Sequence, residues 1–205
     1  MKRFDCLKVL ASLMTEEDIV VTNLGNTAFE WRTARPSRAN VYNLNLGQCT
    51  PVALGLSLAL PHRRVTALDG DGNLLLHLAS LADTAYHKPR NLRIVVFDNE
   101  AYESPGGFPT ATAHGVKLEQ VAKGCGIERS FTVSNIEEFT ERAKVAFAEE
   151  GLCFIVAKIG TGTIDRPTYA AMDFKFNKYL FATYIEETEK KPVLRLRSTS
   201  PFTEK

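Results

Sequence analysis

Short apolar runs of strand length alternate along this chain with longer segments in which apolar residues recur every three or four positions. The runs are almost continuously hydrophobic, and Gly, Asn and Asp collect where they end, which is typical of parallel strands buried on both faces. This pattern predicts an α/β fold, a three-layer α/β/α sandwich with a mainly parallel sheet of about six strands. The predicted strands are Ile19–Thr22, Val41–Asn43, Val65–Asp69, Leu92–Asp98, Phe131–Val133 and Cys153–Ile159.

The segments with helical periodicity fall between these strands. The predicted helices are Phe4–Met14, Pro51–Leu60, Leu74–His87, Leu118–Gly124, Ile136–Glu149 and Asp173 to about Glu189. Ser134 and Glu137 have the spacing of a capping box at the start of one of them. The segment Asn99–Thr112 has no apolar periodicity and concentrates Gly and Pro, which predicts a long loop of the kind usually reserved for function.

The composition is that of an ordinary globular protein of 205 residues, with 44% hydrophobic and 24% charged residues. These proportions exclude a disordered, collagenous or membrane-spanning chain. The length predicts one domain over residues 1–190, followed by a basic, proline-broken C-terminal tail over residues 191–205. A formal net charge of +1 gives no long-range attraction for a polyanion, so we expect no nucleic-acid partner.

The N-terminus and the cysteines both indicate a cytoplasmic protein. Asp5 and Lys8 interrupt the apolar run of MKRFDCLKVLASLM, which predicts an amphipathic helix in place of a secretory signal. The four cysteines show no CxxC spacing, and a chain that can form its own core does not need a disulfide framework. We therefore expect reduced thiols, a cytoplasmic location and no membrane association.

The sharpest chemical feature is LDGDGN, in which Asp71 stands between Gly70 and Gly72 directly after a predicted strand. Glycine lets the backbone approach a ligand closely, and a helix that begins near Leu74 would present unpaired N–H groups and the positive end of its dipole. This turn is therefore suited to a phosphate or diphosphate. The sequence fits neither G-x-G-x-x-G nor G-x-x-x-x-G-K-[ST], so nicotinamide and P-loop nucleotides are poorer candidates.

A second polar cluster, which contains Asn99, ends the next predicted strand 28 positions after Asp71. The intervening helix is a crossover, which makes the two strands parallel and brings both polar ends to the same edge of the sheet. Asp71 and Asn99 would then reach one hard cation, most simply Mg²⁺ that bridges to a diphosphate. Taken alone, the GDG sequence could be a simple glycine turn, and Asn99 could be only a residue that ends a strand. Together with the crossover spacing, they favour a cation site.

GDGN followed by a helix, a strand and DNEAY resembles the cofactor motif of the thiamine-diphosphate-dependent enzymes. The resemblance extends from Met1 to about Gly160. Within that family, the chain is similar to the β subunits of sulfopyruvate decarboxylases and to the corresponding half of phosphonopyruvate decarboxylases. The stretches that carry this similarity are LDGDGNLLLHLASLADTA, KPRNLRIVVFDNEAY, TATAHGVKLEQVAKGCGI and FIVAKI. The resemblance implies a diphosphate-binding domain with thiamine diphosphate and Mg²⁺ as cofactors.

The resemblance also implies a role for each residue that matches the family's motifs. Asp71 and the side chain of Asn99 would ligate Mg²⁺, with the backbone carbonyl of Ala101 as the third protein ligand. Gly72 and Asn73 would face the diphosphate. The implied cofactor-binding residues are Gly25, Asn26, Thr27, Leu46, Gly47, Gln48, Gly70, Asp71, Gly72, Asn73, Asn99, Ala101 and Tyr102.

The stretch LGNTAF is similar to the family's loop that closes on the cofactor from the neighbouring strand end. Thr27 is the candidate contact in this loop. The alternative is that Asn26 or Thr27 is simply the N-cap of a helix.

Two departures from the family's pattern affect what the resemblance implies. The family has a glycine whose carbonyl accepts from the aminopyrimidine, and this chain has Leu46 in its place. The family also has a large apolar residue that supports the bent cofactor, and this chain has Gln48 in its place. A backbone carbonyl serves with any side chain, whereas Gln48 makes this support polar. Glu103 replaces the usual glycine beside Tyr102, and would place an extra carboxylate at the mouth of the site, where it could repel an anionic substrate or shape a different one.

The resemblance implies that the activating glutamate belongs to a separate pyrimidine-binding domain, and a second domain of that size does not fit in 205 residues. We therefore expect the diphosphate-binding subunit of a two-subunit decarboxylase, for example an α2β2 assembly, that acts on a small anionic 2-oxo acid. The alternatives are a subunit of an acetolactate-synthase-like carboligase, a subunit of a 2-oxo-acid oxidoreductase, and a non-catalytic regulatory subunit that binds a diphosphate. Among the histidines, His77 and His87 are predicted to be surface or packing residues, and His114 is better placed for a role.

Overall fold

Parallel strands form the central sheet of the computed structural model, which describes residues 1–164 and 173–193. The strands are β1 Ile19–Thr22, β2 Asn40–Val41, β3 Val65–Gly70, β4 Leu92–Asp98, β5 Ala101–Tyr102, β6 Phe108–Pro109, β7 Ser130–Val133 and β8 Cys153–Lys158. Six of them form one sheet within the described residues, in the order β2-β1-β3-β4-β8-β7, and every neighbouring pair is parallel. The short strands β5 and β6 pair with each other in an antiparallel arrangement.

Helices cover both faces of this sheet. They are α1 Arg3–Leu13, α2 Asn26–Ala34, α3 Cys49–Ala59, α4 Asp71–Leu75, α5 Ala79–His87, α6 Leu118–Gly124, α7 Ile136–Ala148 and α8 Phe174–Glu189. Alternate strand residues face opposite ways: Ala67 packs in one core cluster with α3, α5, α6 and α8, whereas Leu68 packs in the other with α1, α2 and α7. The predicted three-layer α/β/α sandwich is therefore confirmed.

Several boundaries differ from the prediction. The second strand is Asn40–Val41 instead of Val41–Asn43, because Asn43 takes a left-handed backbone conformation with a φ of 57°. The predicted helix Leu74–His87 is two helices, α4 and α5, separated by a turn at residues 76–78 that no Gly or Pro marks. The predicted loop Asn99–Thr112 contains β5 and β6 and leads into a 3₁₀ turn at Ala111–His114.

The predicted capping box lies one residue further along the chain. Asn135, and not Ser134, is the N-cap of α7, and its side chain accepts a hydrogen bond from the backbone N–H of Glu138. The Glu138 carboxylate in turn accepts from the backbone N–H of Ser134 at 3.3 Å. The N-cap bond of a capping box is therefore present between Asn135 and Glu138, one residue later than predicted, whereas the return bond goes to the residue before the N-cap.

Helix α2 was not among the predicted helices, although the alternative for Asn26 and Thr27 implied a helix start there; its N-cap is Gly25 and neither of those two residues. Glu30 is almost fully buried in the middle of this helix, where the Arg3 side chain donates to its carboxylate at 2.8 Å. A buried Glu is seldom stable without such a partner, and nothing local in the sequence identifies a partner 27 positions away. The helix is thus defined by a tertiary contact as much as by its own sequence.

The predicted thiol state agrees with the structure: Cys6, Cys49, Cys125 and Cys153 are all free. Burial raises the pKa of Cys6 to about 12. No helix within residues 1–164 and 173–193 is long and apolar enough to cross a membrane. The predicted tail lies outside the described residues beyond position 193, so the boundary at residue 190 stays a prediction.

Thr66→Val is expected to stabilise the fold. Thr66 lies fully buried in β3, and its hydroxyl oxygen has no hydrogen-bond partner among the described residues. Valine has nearly the same shape and no polar group to desolvate, so the free energy of unfolding should rise by about 1 kcal/mol. Urea unfolding followed by circular dichroism measures the change, and Thr84→Val, which loses a 2.7 Å bond to the Ser80 carbonyl, should give no gain. A decrease at Thr66 would contradict the expectation.

Candidate functional site

A cavity of about 340 Å³ opens at the carboxyl ends of β1, β3 and β4. The strand order reverses here, because β2 lies on one side of β1 and β3 on the other, and ligands of open α/β sheets commonly bind at such a point. The residues that line it are Arg3, Asn23, Leu24, Asn26, Thr27, Leu46, Gly70, Asp71, Gly72, Asn73, Phe97, Asn99, Ala101, Tyr102, Glu103, Ser104 and Pro105.

Most of the residues proposed from the sequence lie on this wall. They are Asn26, Thr27, Leu46, Gly70, Asp71, Gly72, Asn73, Asn99, Ala101 and Tyr102. Gly25, Gly47 and Gln48 do not line it: Gly25 precedes α2, Gly47 is buried behind Asn73, and Gln48 is exposed at the N-cap of α3. The sequence alone did not place Arg3 or Asn23 here, because only the folded chain brings α1 and the end of β1 to this edge.

Asp71 is the carboxylate at the centre of the wall, and it is only 2% exposed. Its Oδ2 accepts hydrogen bonds from the hydroxyls of Thr110 at 2.6 Å and Thr112 at 3.3 Å. Burial raises the pKa of Asp71, and the nearby Asp98 charge adds to the increase, while the bonds from Thr110, the Gly72 backbone and Thr112 oppose it. A cation beside this group would stabilise its charged form.

The glycines of GDG are required by protein packing. A Cβ built on Gly72 would lie 2.4 Å from Cε1 of Tyr102, which is far inside van der Waals contact. A Cβ on Gly70 would lie 2.9 Å from the Asn23 side-chain nitrogen. The sequence predicted that these glycines admit the close approach of a ligand, whereas the space beside them is occupied by the wall residues Tyr102 and Asn23.

Asn73 holds the loop that contains Leu46 and Gly47. Its Oδ1 accepts the Gly47 N–H at 2.8 Å, and its Nδ2 donates to the buried Asp69 carboxylate. The carbonyl oxygen of Gly47 is also held, because His77 Nδ1 lies 3.0 Å from it. Both polar groups of Gly47 are therefore held, and His77, which the sequence analysis predicted to be a surface or packing residue, contacts a loop at the site.

Asp69, near the end of β3, holds Asn73 and the start of α3 in place. Burial raises its pKa to about 6, although hydrogen bonds from Thr50, Asn73 and the Gly70 N–H favour the charged form. The Thr50 hydroxyl donates to it at 2.8 Å, which ties the start of α3 to the end of β3. The loop at residues 46–48 is thus fixed to the sheet through a buried polar chain.

Glu103, the departure noted in the sequence, is held at the cavity by groups from several parts of the chain. Its carboxylate accepts from the side-chain amides of Asn26 at 3.3 Å and Asn99 at 3.2 Å, and from the backbone N–H of Gly162. Arg3 lies 3.6 Å from it. Arg3 offsets only part of this extra negative charge at the mouth, because its closer partner, at 2.8 Å, is the Glu30 carboxylate.

The donor set of the wall fits a hard cation that is bound together with a ligand's own oxygens. Asp71 offers a carboxylate, Asn99 an amide and Ala101 a carbonyl, and these three residues line one cavity. The buried Oδ1 of Asn23, also a wall residue, has no hydrogen-bond partner among the described residues. Within that part of the chain, no three His, Cys, Asp or Glu side chains form a metal cluster on their own.

The chain matches a known protein family over most of the sheet and the whole loop region of the site. Residues 24–157 match the family described as thiamine pyrophosphate enzyme, C-terminal TPP binding domain. The chain is 36% identical over 158 residues to sulfopyruvate decarboxylase subunit beta of Methanocaldococcus jannaschii, which covers 77% of this chain and 83% of that protein. It is 30% identical over 164 residues to phosphonopyruvate decarboxylase of Streptomyces viridochromogenes, covering 80% of this chain and 41% of that protein.

A solved structure supports the fold independently. The benzoylformate decarboxylase from Polynucleobacter necessarius superposes with a TM-score of 0.69 over 81% of this chain. The sequences are 20% identical, and the match covers 34% of that longer chain. At this level of identity the similarity concerns the fold alone.

Proposed function

This chain belongs to the thiamine pyrophosphate enzymes, through their C-terminal TPP binding domain, and we propose that it is the cofactor-binding subunit of a two-subunit decarboxylase. The observation that carries the proposal is the single cavity wall that brings the GDG turn after β3 together with Asn99 after β4. That juxtaposition supplies oxygen ligands and backbone N–H groups at one sheet edge, as a metal-bound diphosphate needs.

Three residues would hold Mg²⁺ at this site. They are Asp71 through its carboxylate, Asn99 through its side-chain oxygen and Ala101 through its backbone carbonyl, with diphosphate oxygens completing the shell. Asn99 is oriented for this role, because its Oδ1 accepts the Ala101 N–H at 3.2 Å and its Nδ2 donates to Glu103. Gly72 and Asn73, in the first turn of α4, would face the diphosphate.

Thiamine diphosphate, when bound, supplies the nucleophilic carbon and the electron sink that decarboxylation of a 2-oxo acid requires. The chain's own contribution is orientation. Leu46 would offer its carbonyl to the aminopyrimidine, and the bonds from Asn73 and His77 to Gly47 keep that loop in place. Thr27 and Tyr102, which line the same cavity, would limit the access of water to the diphosphate.

A partner subunit would complete the active site. The relative named a beta subunit is matched over most of its length, whereas the match to the phosphonopyruvate decarboxylase covers less than half of that longer chain. Leu24 and Leu46 lie on the cavity wall yet are 43% and 56% exposed, so a second chain could cover them. We propose that the partner subunit carries a pyrimidine-binding domain with the activating glutamate, that the enzyme is cytoplasmic, and that neither nucleic acid nor membrane is a partner.

The substrate we propose is a small anionic 2-oxo acid such as sulfopyruvate or phosphonopyruvate, in line with the names of the relatives. The cation on this wall, Arg3, is already paired with Glu30 and lies near Glu103. The partner subunit would therefore supply part of the positive charge that recognises the head group.

Calorimetric titration of thiamine diphosphate into the chain of 205 residues, with and without Mg²⁺, tests the cofactor assignment. Weak, Mg²⁺-dependent binding of thiamine diphosphate is expected. Titration of thiamine without phosphate should give no more heat than injection of buffer. Equal binding of thiamine, or no binding of the diphosphate at millimolar concentration, would contradict the proposal. Product analysis on the assembled enzyme separates the alternatives: a ligated product indicates a carboligase, and a requirement for an electron acceptor indicates an oxidoreductase.

Gln48→Met is expected to maintain or raise the activity of the assembled enzyme. Gln48 is exposed and lies outside the cavity wall, so it could support the cofactor only where the cofactor extends beyond this cavity towards the partner, and there a polar side chain would support it less well than an apolar side chain of similar volume. The measurement is kcat for CO₂ release with the partner present, and Gln120→Met, at a position on α6 away from the cavity, is the matched control. A loss of more than about tenfold, or roughly 1.4 kcal/mol of barrier, would show that Gln48 has a positive role of its own.

A further inference from the structure

Two threonine hydroxyls connect Asp71 to a second buried carboxylate. Thr110 is 1% exposed and donates to Asp71 Oδ2 at 2.6 Å, and its hydroxyl lies 2.8 Å from that of Thr112. Thr112 in turn donates to Asp98 Oδ1 at 2.8 Å, and the other oxygen of Asp98 accepts from Lys158 at 2.9 Å. The Asp71 carboxylate is therefore linked to the ends of β4 and β8 through side chains of the segment after β6.

The shortest of these bonds decides how the carboxylate of Asp71 is turned. The terminal torsion of an Asp side chain has broad minima, so an unrestrained carboxylate rotates over a wide range. Thr110 donates to Oδ2, whereas the single proton of Thr112 makes its shorter bond to Asp98, and Thr110 is fixed by its backbone N–H, which donates to the Glu100 carbonyl at 3.0 Å. With Oδ2 held on this side, Oδ1 is the oxygen left to meet a cation.

We infer that Thr110 is a positioning residue for the metal site: its hydroxyl fixes the rotation of the Asp71 carboxylate so that Oδ1 meets Mg²⁺. The inference rests on the proposed function, in which Asp71 is a metal ligand. Residues that orient a metal ligand without touching the metal commonly change metal affinity by about 10- to 100-fold when replaced. The role of Thr110 is separate from that of Thr112, whose closer bond is to Asp98.

The test compares Thr110→Val, which removes the hydroxyl and keeps the shape, with Thr110→Ser, which keeps the hydroxyl. We expect the Mg²⁺ dissociation constant, measured by calorimetry on the full chain at saturating thiamine diphosphate, to rise about tenfold or more in Thr110→Val and to stay within about threefold in Thr110→Ser. The electron paramagnetic resonance of bound Mn²⁺ gives a second readout, with weaker binding and an altered spectrum in Thr110→Val alone.

Thr66→Val is the matched control, because it removes a buried hydroxyl from β3, the strand that leads to Asp71, but one without a hydrogen-bond partner among the described residues. Its Mg²⁺ affinity should equal that of the parent. If Thr110→Val does not fold, Thr110→Ala carries the same expectation. Equal affinity in the parent and Thr110→Val, or equal losses in Thr110→Val and Thr110→Ser, would overturn the inference. Absence of Mg²⁺-dependent binding in the parent would instead overturn the proposed function.

Discussion

Asp71→Ala is expected to abolish Mg²⁺-dependent binding of thiamine diphosphate, with a loss of affinity of at least about a hundredfold. Asp71 is the carboxylate in the proposed ligand set, so the variant leaves the cation with only neutral protein ligands against the diphosphate. It also removes the acceptor of the Thr110 hydroxyl, so that neither the charge nor the local geometry survives. Calorimetry with and without Mg²⁺ measures the effect directly.

Asn99→Ala should reduce binding nearly as much, because it removes the second side-chain ligand. Asp83→Ala is the matched control: Asp83 is an exposed carboxylate on α5 and lies outside the cavity wall. The control should bind the cofactor like the parent, and circular dichroism should show the parent fold in all three variants. Unchanged, metal-dependent binding in both Asp71→Ala and Asn99→Ala would mean that the site has been assigned to the wrong residues.

The sheet could be predicted from the sequence because its strands are buried on both faces. The prediction of Leu92–Asp98 was correct at both ends, since an apolar run, interrupted by Arg93, stops there at a polar cluster. The prediction failed where a tertiary contact determines the local structure. Helix α2 contains a buried Glu30 whose partner, Arg3, lies 27 positions away, and the break between α4 and α5 has no local breaker residue.

The residues of the site, too, could be predicted where the strand topology places them and not where a tertiary contact does. Asp71 and Asn99 could be placed on one wall because the crossover topology brings the carboxyl ends of β3 and β4 together. The groups that orient them could not be placed. Thr110 begins a stretch that is similar to the family, but the similarity assigned it no role, and Arg3 lies in no motif; both reach the site only through the path of the segment after β6 and the packing of α1.

The chain purified alone is expected to release no CO₂ from sulfopyruvate, phosphonopyruvate or pyruvate. The cavity lies at one edge of the sheet and would hold the diphosphate end of a long cofactor, which leaves the thiazolium and the pyrimidine exposed to water. Addition of the cognate subunit with the pyrimidine-binding domain should restore decarboxylation, with activity that rises as the complex forms. The measurement is CO₂ release by each subunit separately and by the mixture, with an Asp71→Ala mixture as the inactive control.

The isolated chain is expected to be inactive because Glu30 and Glu103 are not free to take the role of the activating glutamate. Glu30 is buried behind the wall in bonds to Arg3, Thr163 and the Ile164 N–H, so it is not available to a ligand. Glu103 lies on the wall, but its carboxylate is already engaged by Asn26, Asn99 and the Gly162 N–H. Full turnover by the isolated chain would contradict the split site and point to Glu103, because it is a glutamate that a bound cofactor could reach. Glu103→Gln would then remove that activity, whereas under the split-site proposal the same variant in the assembled enzyme should retain decarboxylation.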